Sequence, residues 1–553
     1  MSFSVQAREK SIRNMVDQEL DVLIIGGGIT GVGIALDAQT RGIQAGLIEM
    51  QDYAAGTSSR STKLIHGGLR YLKQFEIKLV AEVGKERAIV FENAPHVTTP
   101  LRMMLPFYKG GTFGSLTTSI GLSVYDRLAG VKKAERRTMM RSKEAMKKEP
   151  ILAEKNLRGA GMYVEYRTDD ARLTLEVAKT AAEKGAWLAN YVKAESFIYE
   201  DNKVVGVVAR NLVTDEAVKI RAKKVVNATG PWVDGLREQD RSKEGKTIHL
   251  TKGVHLVLSK KRLPLNQAVY FDTPFDDGRM MFAVPRGEKV YVGTTDTNYT
   301  GDQREPGVTS EDVGYILTAT NEMFPGFHIH ADDVESSWSG LRPLIHEEGK
   351  DPSDISRKDE IFHSDSGLMT IAGGKLTGYR KMADSVVSLV AIELQEETGK
   401  DYKGCQTKEL VLSGGDVGGS KALESFNAAH IQAGTILGLD EKTSQELVER
   451  YGSNVTQVFA YLEDEQAKTY GLSKDVWACL RYALTHEMAL TPVDFFLRRT
   501  AYLLFDIDKA TTYKQEVVEA MAKELKWSEE TKAAHVAELN DQWQGHTLQQ
   551  PRR

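Results

Sequence analysis

Cysteine is nearly missing from this chain: Cys405 and Cys479 are the two among 553 residues. They lie far apart, and neither has a CxxC or Cys/His partner close by. That argues against a disulfide framework and a zinc site, so no metal is expected and a reducing, cytoplasmic setting fits best. Nowhere do about 18 apolar residues follow one another, so no helix should span a membrane. Met1 to Glu19 is polar and mixed in charge, without the apolar centre of a signal peptide. Positive charge is not in excess either. Lys and Arg number 72 against 77 Asp and Glu, a net charge of −5, and a general nucleic-acid binder would need the reverse. What is present is ordinary for a soluble globular protein, with 41% hydrophobic and 27% charged residues. The length calls for two or three domains.

Val22–Ile25 is a short apolar run, read as a buried strand. Gly26–Gly31 follows, then Val32–Arg41 with helical spacing, then Ala45–Glu49 as a second strand. This is a β-turn-α-β unit. Further strands are expected at Val204–Val208, Lys224–Asn227, His255–Leu258, Val290–Gly293 and Leu368–Ala372, with helices at Leu173–Glu183 and Lys381–Leu394. The interleaving predicts a mainly parallel sheet with helices plus an inserted antiparallel sheet. "SGGDVGGS", Ser413 to Ser420, reads as a linker. Beyond it the pattern turns helical: Glu441–Tyr451, Val455–Leu462, Val476–Glu487, Pro492–Leu504, Tyr513–Leu525 and Glu529–Gln542. No internal repeat or low-complexity tract is visible.

Gly26-x-Gly28-x-x-Gly31 lies between the first strand and its helix. The first glycine permits the tight turn, the second lets a pyrophosphate approach the backbone, and the third lets helix and strand pack closely. The helix N-terminus offers N–H groups and a positive dipole end to phosphate. Glu49 ends the next strand, about 20 positions on, where an acid is expected to accept from ribose hydroxyls. A tight βα turn with a surface glutamate would carry the same letters. The motif alone does not separate NAD from FAD. A second element, "KVVNATGPWVD" at Lys224–Asp234, ends a strand in Ala228-Thr229-Gly230. It resembles the ATG motif of two-dinucleotide-binding flavoproteins, and the pair favours FAD.

Between Tyr53 and Leu72 the chain reads "YAAGTSSRSTKLIHGGLRYL". With "TKGVHLVL" (Thr251–Leu258), "VGTTDT" (Val292–Thr297), "GLRPL" (Gly340–Leu344), "SRKDEI" (Ser356–Ile361), "GGKLTGYR" (Gly373–Arg380) and "EMALTPVDFFLRRT" (Glu487–Thr500), it resembles the FAD-dependent glycerol-3-phosphate dehydrogenases over nearly the whole chain. The resemblance implies an α/β fold: an FAD-binding Rossmann-like domain of the two-dinucleotide-binding type, an inserted antiparallel-sheet substrate domain and a C-terminal all-α domain. The expected division is 1–19 as an N-terminal extension and 20–95, 160–245 and 335–400 as a discontinuous FAD-binding domain. Residues 96–159 and 246–334 form the substrate cap, and 405–545 the helical domain.

The resemblance implies oxidation of sn-glycerol 3-phosphate to dihydroxyacetone phosphate, with hydride passing to FAD and electrons to a membrane quinone. FAD contacts are expected from Gly26, Gly28, Gly31, Glu49, Thr57, Ser58, Ser59, Ser61, Lys63, Leu64, His66, Gly67, Ala228, Thr229, Gly230, Gly374, Lys375, Leu376 and Thr377. A dianionic phosphate calls for arginine and lysine; the matching cations are Arg70, Arg342, Arg357 and Lys375, with Tyr71 beside them. Thr377 also reads as a helix cap. For the proton acceptor the candidates are His66 and His255, since imidazole titrates near neutrality. Arg342 can instead stabilise a developing alkoxide.

Two segments could meet an anionic membrane surface: the apolar "LRMMLPFYKGGTFG" (Leu101–Gly114) and the basic Val131–Lys148, read as helical. A solvated charged helix is the alternative for the second. A cytoplasmic protein, peripheral on the inner face of the membrane and open to homodimer formation, is the resulting picture. Other readings remain at this point: a glycerol-3-phosphate oxidase making peroxide, an amino-acid oxidase of similar architecture, or a flavin-binding regulator without turnover. The phosphate-type cations speak against an amino-acid substrate, and the chain length resembles the dehydrogenase branch.

Overall fold

The computed structural model describes residues 3–66, 77–112, 114, 122, 136–347 and 358–548. The strand Leu20–Ile25 lies at the centre of a parallel sheet, flanked by Ala45–Ile48 and the end of Glu216–Asn227. Trp187–Ala189 and Met369–Ala372 extend it in parallel, and Glu360–His363 closes one edge antiparallel. Both faces of this sheet are covered, which is why its strands read as unbroken apolar runs. Three helices, Ile29–Arg41, Asp170–Glu183 and Tyr379–Thr398, share the core of one face.

The other face carries a helix that the sequence reading did not expect. Val5–Asp17, taken as part of an extension, is capped by Ser4 and packs Ile12 and Met15 onto Leu20, Leu23 and Trp187. Its polar composition hides a narrow apolar stripe.

The second sheet is mostly antiparallel. Lys246–Ser259 pairs with Val334–Glu347 and with Lys289–Gly293. Through Met280–Arg286 and Ala268–Asp272 the sheet reaches Thr98–Tyr108 and Leu157–Thr168. Two expected boundaries shift as a result. Residues 160–168 and 335–347, assigned to the FAD-binding domain, belong to this second sheet, because their partners Thr98–Tyr108 and Lys246–Ser259 run alongside them.

One face of the second sheet carries Leu256, Leu258 and Val292 against helix Ser310–Met323. The other carries Met103, Leu105, Val257 and Trp338 into the core of the C-terminal domain. That corrects the expectation for Leu101–Gly114. Its apolar stretch is a strand, Thr98–Tyr108, buried on both sides, with Met103, Met104 and Leu105 at 0% exposure. The basic segment is corrected too: among its described residues Thr138–Arg141 is a strand and Ser142–Lys148 a short helix.

In the helical domain, Pro492–Leu504 is not one regular helix. Asp494–Arg499 forms a wide-turn helix, and the left-handed Ala501 separates it from Tyr502–Phe505. A helix at Leu423–Ile436, also unexpected, precedes Glu441–Tyr451. The supposed linker is a packed seam. A side chain at Gly414 would stand 2.7 Å from His96 Nε2, and one at Gly452 would come within 2.6 Å of Cγ of the same ring.

Candidate active site

The glycine turn shows a division of labour. Gly26 has φ +116°, open to glycine at little cost, and a Cβ there would lie 2.6 Å from the Ala228 carbonyl oxygen. A Cβ on Gly31 would collide with the carbonyl of Gly26. At Gly28 a Cβ would meet only Ser58 Oγ, at 3.2 Å. The first and third glycines are thus consumed by packing, and the second faces an open approach. The strand end Ala228-Thr229-Gly230 lies against the turn, with Thr229 Oγ1 donating to Asn227 Oδ1 at 2.7 Å.

Glu49 accepts from Gly27 N at 2.6 Å and Gln51 N at 2.7 Å. Burial nonetheless pushes its carboxyl above the usual range. A turn with room above its middle glycine, an acid at the next strand end and a helix N-terminus behind it are the shape a dinucleotide needs. The residues present fit FAD.

The polar loop after Tyr53 divides into groups that face inward and groups that hold other strands. Ser58 Oγ accepts from Ile29 N at 2.9 Å and so caps the helix that follows the glycine turn. Thr57 Oγ1 donates to the Leu341 carbonyl at 2.8 Å, tying the loop to the strand of Arg342. Lys63 is engaged within the protein. It is 2% exposed, pairs with Asp170 at 2.6 Å and donates to the Ser59 carbonyl at 2.9 Å. Ser61 Oγ donates to the same Asp170 at 2.7 Å. Leu64 pairs with Arg167 in the second sheet. The ammonium of Lys63 and the hydroxyl of Ser61 anchor the loop to the buried Asp170 carboxylate, which requires compensating partners.

Arg342 sits on the strand Val334–Glu347, opposite Thr251. Its guanidinium donates to Asp296 Oδ1 at 3.1 Å, the Thr295 carbonyl at 3.2 Å and Thr294 Oγ1 at 3.1 Å. It is half-buried. His255, on the paired strand, stacks on Trp338 with ring centroids 4.6 Å apart. Its Nε2 lies 3.1 Å from Thr62 Oγ1, and its Nδ1 is buried with no partner among the described residues. Burial, with Arg342 and Lys63 nearby, holds this imidazole well below its ordinary range. Burial and the Lys375 ammonium lower His66 to about 3. Both histidines are neutral at pH 7, the form that can accept a proton.

Lys375 follows the strand Met369–Ala372 through Gly373 and Gly374, both with positive φ. A Cβ at Gly373 would stand 3.2 Å from Ile345 Cδ1, on the strand that carries Arg342. Leu376 and Thr377 form the tight turn that opens helix Tyr379–Thr398, with Thr377 buried. Gly67, Arg70, Tyr71 and Arg357 lie outside the described residues.

Sequence reasoning missed several contributors. A Cβ at Gly253 would come within 2.5 Å of both Arg342 Nη2 and Thr294 Oγ1, and one at Gly293 would strike the His255 ring. These two glycines make room for the arginine and the histidine. Their signal was present in the letters: glycine inside a strand marks a close approach. Thr62, Asp296 and Trp338 had no such signal.

The glycine cradle, its acid, and Arg342 and Lys375 on segments that meet at Gly373 define a flavin-dependent oxidoreductase. Residues 21–380 match the family of FAD dependent oxidoreductases, and residues 405–532 match the C-terminal domain of alpha-glycerophosphate oxidase. An aerobic glycerol-3-phosphate dehydrogenase of Bacillus subtilis is 58% identical over 541 residues, covering 97% of each chain. One of Staphylococcus aureus is 52% identical, covering 98% of this chain and 97% of that one. The crystal structure of the glycerol-3-phosphate dehydrogenase from Bacillus halodurans, complexed with FAD, superposes with TM-score 0.86 at 49% identity, covering 99% of this chain and 98% of that one. The chain belongs to the FAD-dependent glycerol-3-phosphate dehydrogenase family.

Proposed function

We propose that this enzyme oxidises sn-glycerol 3-phosphate at C2 to dihydroxyacetone phosphate and passes the electrons to a quinone. One observation supports the reading above others. Arg342 and His255 stand on paired strands of one sheet, each given its space by a glycine. When bound, FAD supplies the acceptor for the hydride leaving C2. The chain's own residues hold the substrate and manage its proton. Arg342, with Lys375 across the Gly373 turn, binds the anionic substrate, and the Arg342 fork steadies negative charge growing on the C2 oxygen. Arg70, Tyr71 and Arg357 join this set through the family resemblance.

His255 takes the hydroxyl proton on its neutral ring. Trp338 fixes the ring plane, and Thr62 at Nε2 biases which nitrogen is protonated. His66, also neutral, is the second candidate, and substitution of each separates them. The anionic substrate raises the proton affinity of either imidazole, offsetting the burial that lowers it.

Anaerobic addition of glycerol 3-phosphate should bleach the flavin band near about 450 nm, and a quinone analogue should restore it. Persistence of the band with a folded, FAD-loaded protein would leave the flavin-binding regulator as the reading. Peroxide release under air at the rate of turnover would make it an oxidase.

Among the described residues no helix is long and apolar enough to cross a membrane. We place contact with an anionic bilayer on Arg136, Arg141, Lys143, Lys147 and Lys148. All five are exposed and gathered in one short stretch. Co-sedimentation with anionic vesicles at low salt, lost at high salt, is the expected result. Absence of binding at low salt makes this a solvated basic surface.

A further inference from the structure

Asp52 stands three residues beyond Glu49 and is 0% exposed. Its partners come from the far end of the chain. Oδ2 accepts from Arg498 Nε and Arg499 Nη1, each at 2.6 Å, and Oδ1 accepts from Arg499 Nη2 at 2.9 Å. Asn190 Nδ2 donates to Oδ1 at 3.0 Å. Arg498 also holds Asp494 at 2.6 Å, and Tyr191 donates its hydroxyl to the same Asp494 oxygen at 2.6 Å. Two guanidinium groups and two carboxylates thus close a neutral quartet with no solvent exposure beyond a few per cent.

A second knot lies beside the first. Arg172 pairs with Glu487 and donates to the Arg499 carbonyl at 2.7 Å, and Lys179 bonds Glu176 at 2.9 Å. Arg172 belongs to the helix whose first residue, Asp170, holds Ser61 and Lys63. The segment 52–63 is therefore tied to the helical domain directly at Asp52 and, at Ser61 and Lys63, through helix Asp170–Glu183.

What this segment supports is the cofactor cradle. A Cβ at Gly27 would lie 3.0 Å from the Tyr53 ring, and Ala54 N donates to the Gly27 carbonyl at 3.1 Å. The Tyr53 hydroxyl donates to Met488 Sδ at 3.5 Å, again in the helical domain. Burying two ion pairs yields little net stability, since desolvation offsets attraction. The Arg499 fork, with both oxygens of Asp52 in its grip, does fix the direction of that carboxylate.

We propose that the helical domain sets flavin affinity, with Asp52, Arg498 and Arg499 acting as positioning residues that hold the 49–55 turn under the glycine cradle. None of the three touches the reacting atoms. The domain supplied by residues 405–532 is, on this view, a brace for the cofactor site as well as a cover for the second sheet.

The test compares Asp52→Asn with Val458→Ala, a cavity variant in the helical core away from the quartet. Three quantities are read on the full chain: the FAD dissociation constant by titration of the deflavinated protein, the thermal midpoint of the loaded protein, and kcat and KM at saturating FAD. Asp52→Asn is expected to weaken FAD binding about tenfold or more. Its kcat and KM should stay within about twofold of the parent once FAD is saturating. Val458→Ala should lower the midpoint and leave FAD affinity unchanged. Arg499→Lys, which keeps the charge and loses the fork, should fall between parent and Asp52→Asn. Should Asp52→Asn not fold, Arg498→Lys is read by the same comparison. Unchanged FAD affinity in the quartet variants, or equal loss in Val458→Ala, would overturn the proposal.

Discussion

At Arg342 a planar fork meets three oxygens of one short segment, Thr294 to Asp296. That fixes its orientation before substrate arrives, so little reorganisation is left for the reaction itself. Replacing it by alanine should cost about 3–4 kcal/mol of transition-state stabilisation, roughly 10²–10³ in kcat/KM, with the flavin spectrum retained. Arg342→Lys should recover only part, because lysine has no fork. Steady-state kinetics with a visible spectrum of each variant checks both. His255 makes a different prediction. Burial and neighbouring cations hold it below its ordinary range, so the free enzyme stays in the neutral form as pH falls through 6.5. The acid limb of kcat/KM should therefore lie well below pH 6.5, and His255→Gln should lower kcat by about 10²-fold or more and remove that limb. A limb at or above 6.5 that survives the substitution would assign the proton to another group.

The paired strands Lys246–Ser259 and Val334–Glu347 set the distance between arginine and histidine, and two mid-strand glycines keep the space between them clear. Gly253→Ala would push a methyl group into Arg342 and Thr294. It should lower kcat/KM by about tenfold or more while moving the thermal midpoint only slightly, since the guanidinium lies at a half-buried surface and can swing aside. A large fall in the midpoint with normal kcat/KM would show that Gly253 serves the strand alone. The loop 52–63 is positioned by a different element, helix Asp170–Glu183. Breaking its buried pair by Asp170→Asn leaves Lys63 without a counter-charge and should destabilise the protein by about 3–5 kcal/mol, read by denaturant unfolding.

Across the whole molecule, the seam between the FAD-binding and helical domains is closed by His96. It is 5% exposed and lies against Gly414 and Gly452, with neither ring nitrogen finding a partner among the described residues. Burial and the cations Arg172 and Lys179 lower it to about 3. The unfolded chain binds its proton near pH 6.5, so between 6.5 and 3 the unfolded state holds more protons than the folded one. Stability is then complete above about pH 6.5 and falls with decreasing pH through that window, by ~1.4 kcal/mol per pH unit for this one group. Measured at pH 5, unfolding of His96→Gln should take up about one proton fewer than the parent. Equal proton uptake by the two would place the histidine's titration elsewhere. The seam is also where the flavin-bracing quartet and its neighbouring knot reside, so the two domains share polar contacts as well as an apolar core.

Much of the architecture was legible because backbone periodicity is local. The strand Val22–Ile25, the glycine turn, the helix that follows it and Glu49 were readable from spacing alone, since each depends on residues within about one β-turn-α-β unit. Glycine at 26, 28 and 31 carried distinct roles because a missing Cβ is a local fact. Membership of the second sheet was not legible. Leu101–Tyr108 looks the same whether lipid or protein covers it, and only its strand partners decide. Likewise no letter near Lys63 announces that Asp170, 107 positions away, pairs with its ammonium. The sequence by itself determined the dinucleotide cradle and the class of chemistry, both written in short segments. Which charges pair with one another, and that arginines 498 and 499 brace a turn at 52, was decided only by the tertiary structure, because ion pairing depends on distance in space and the chain leaves that to its fold.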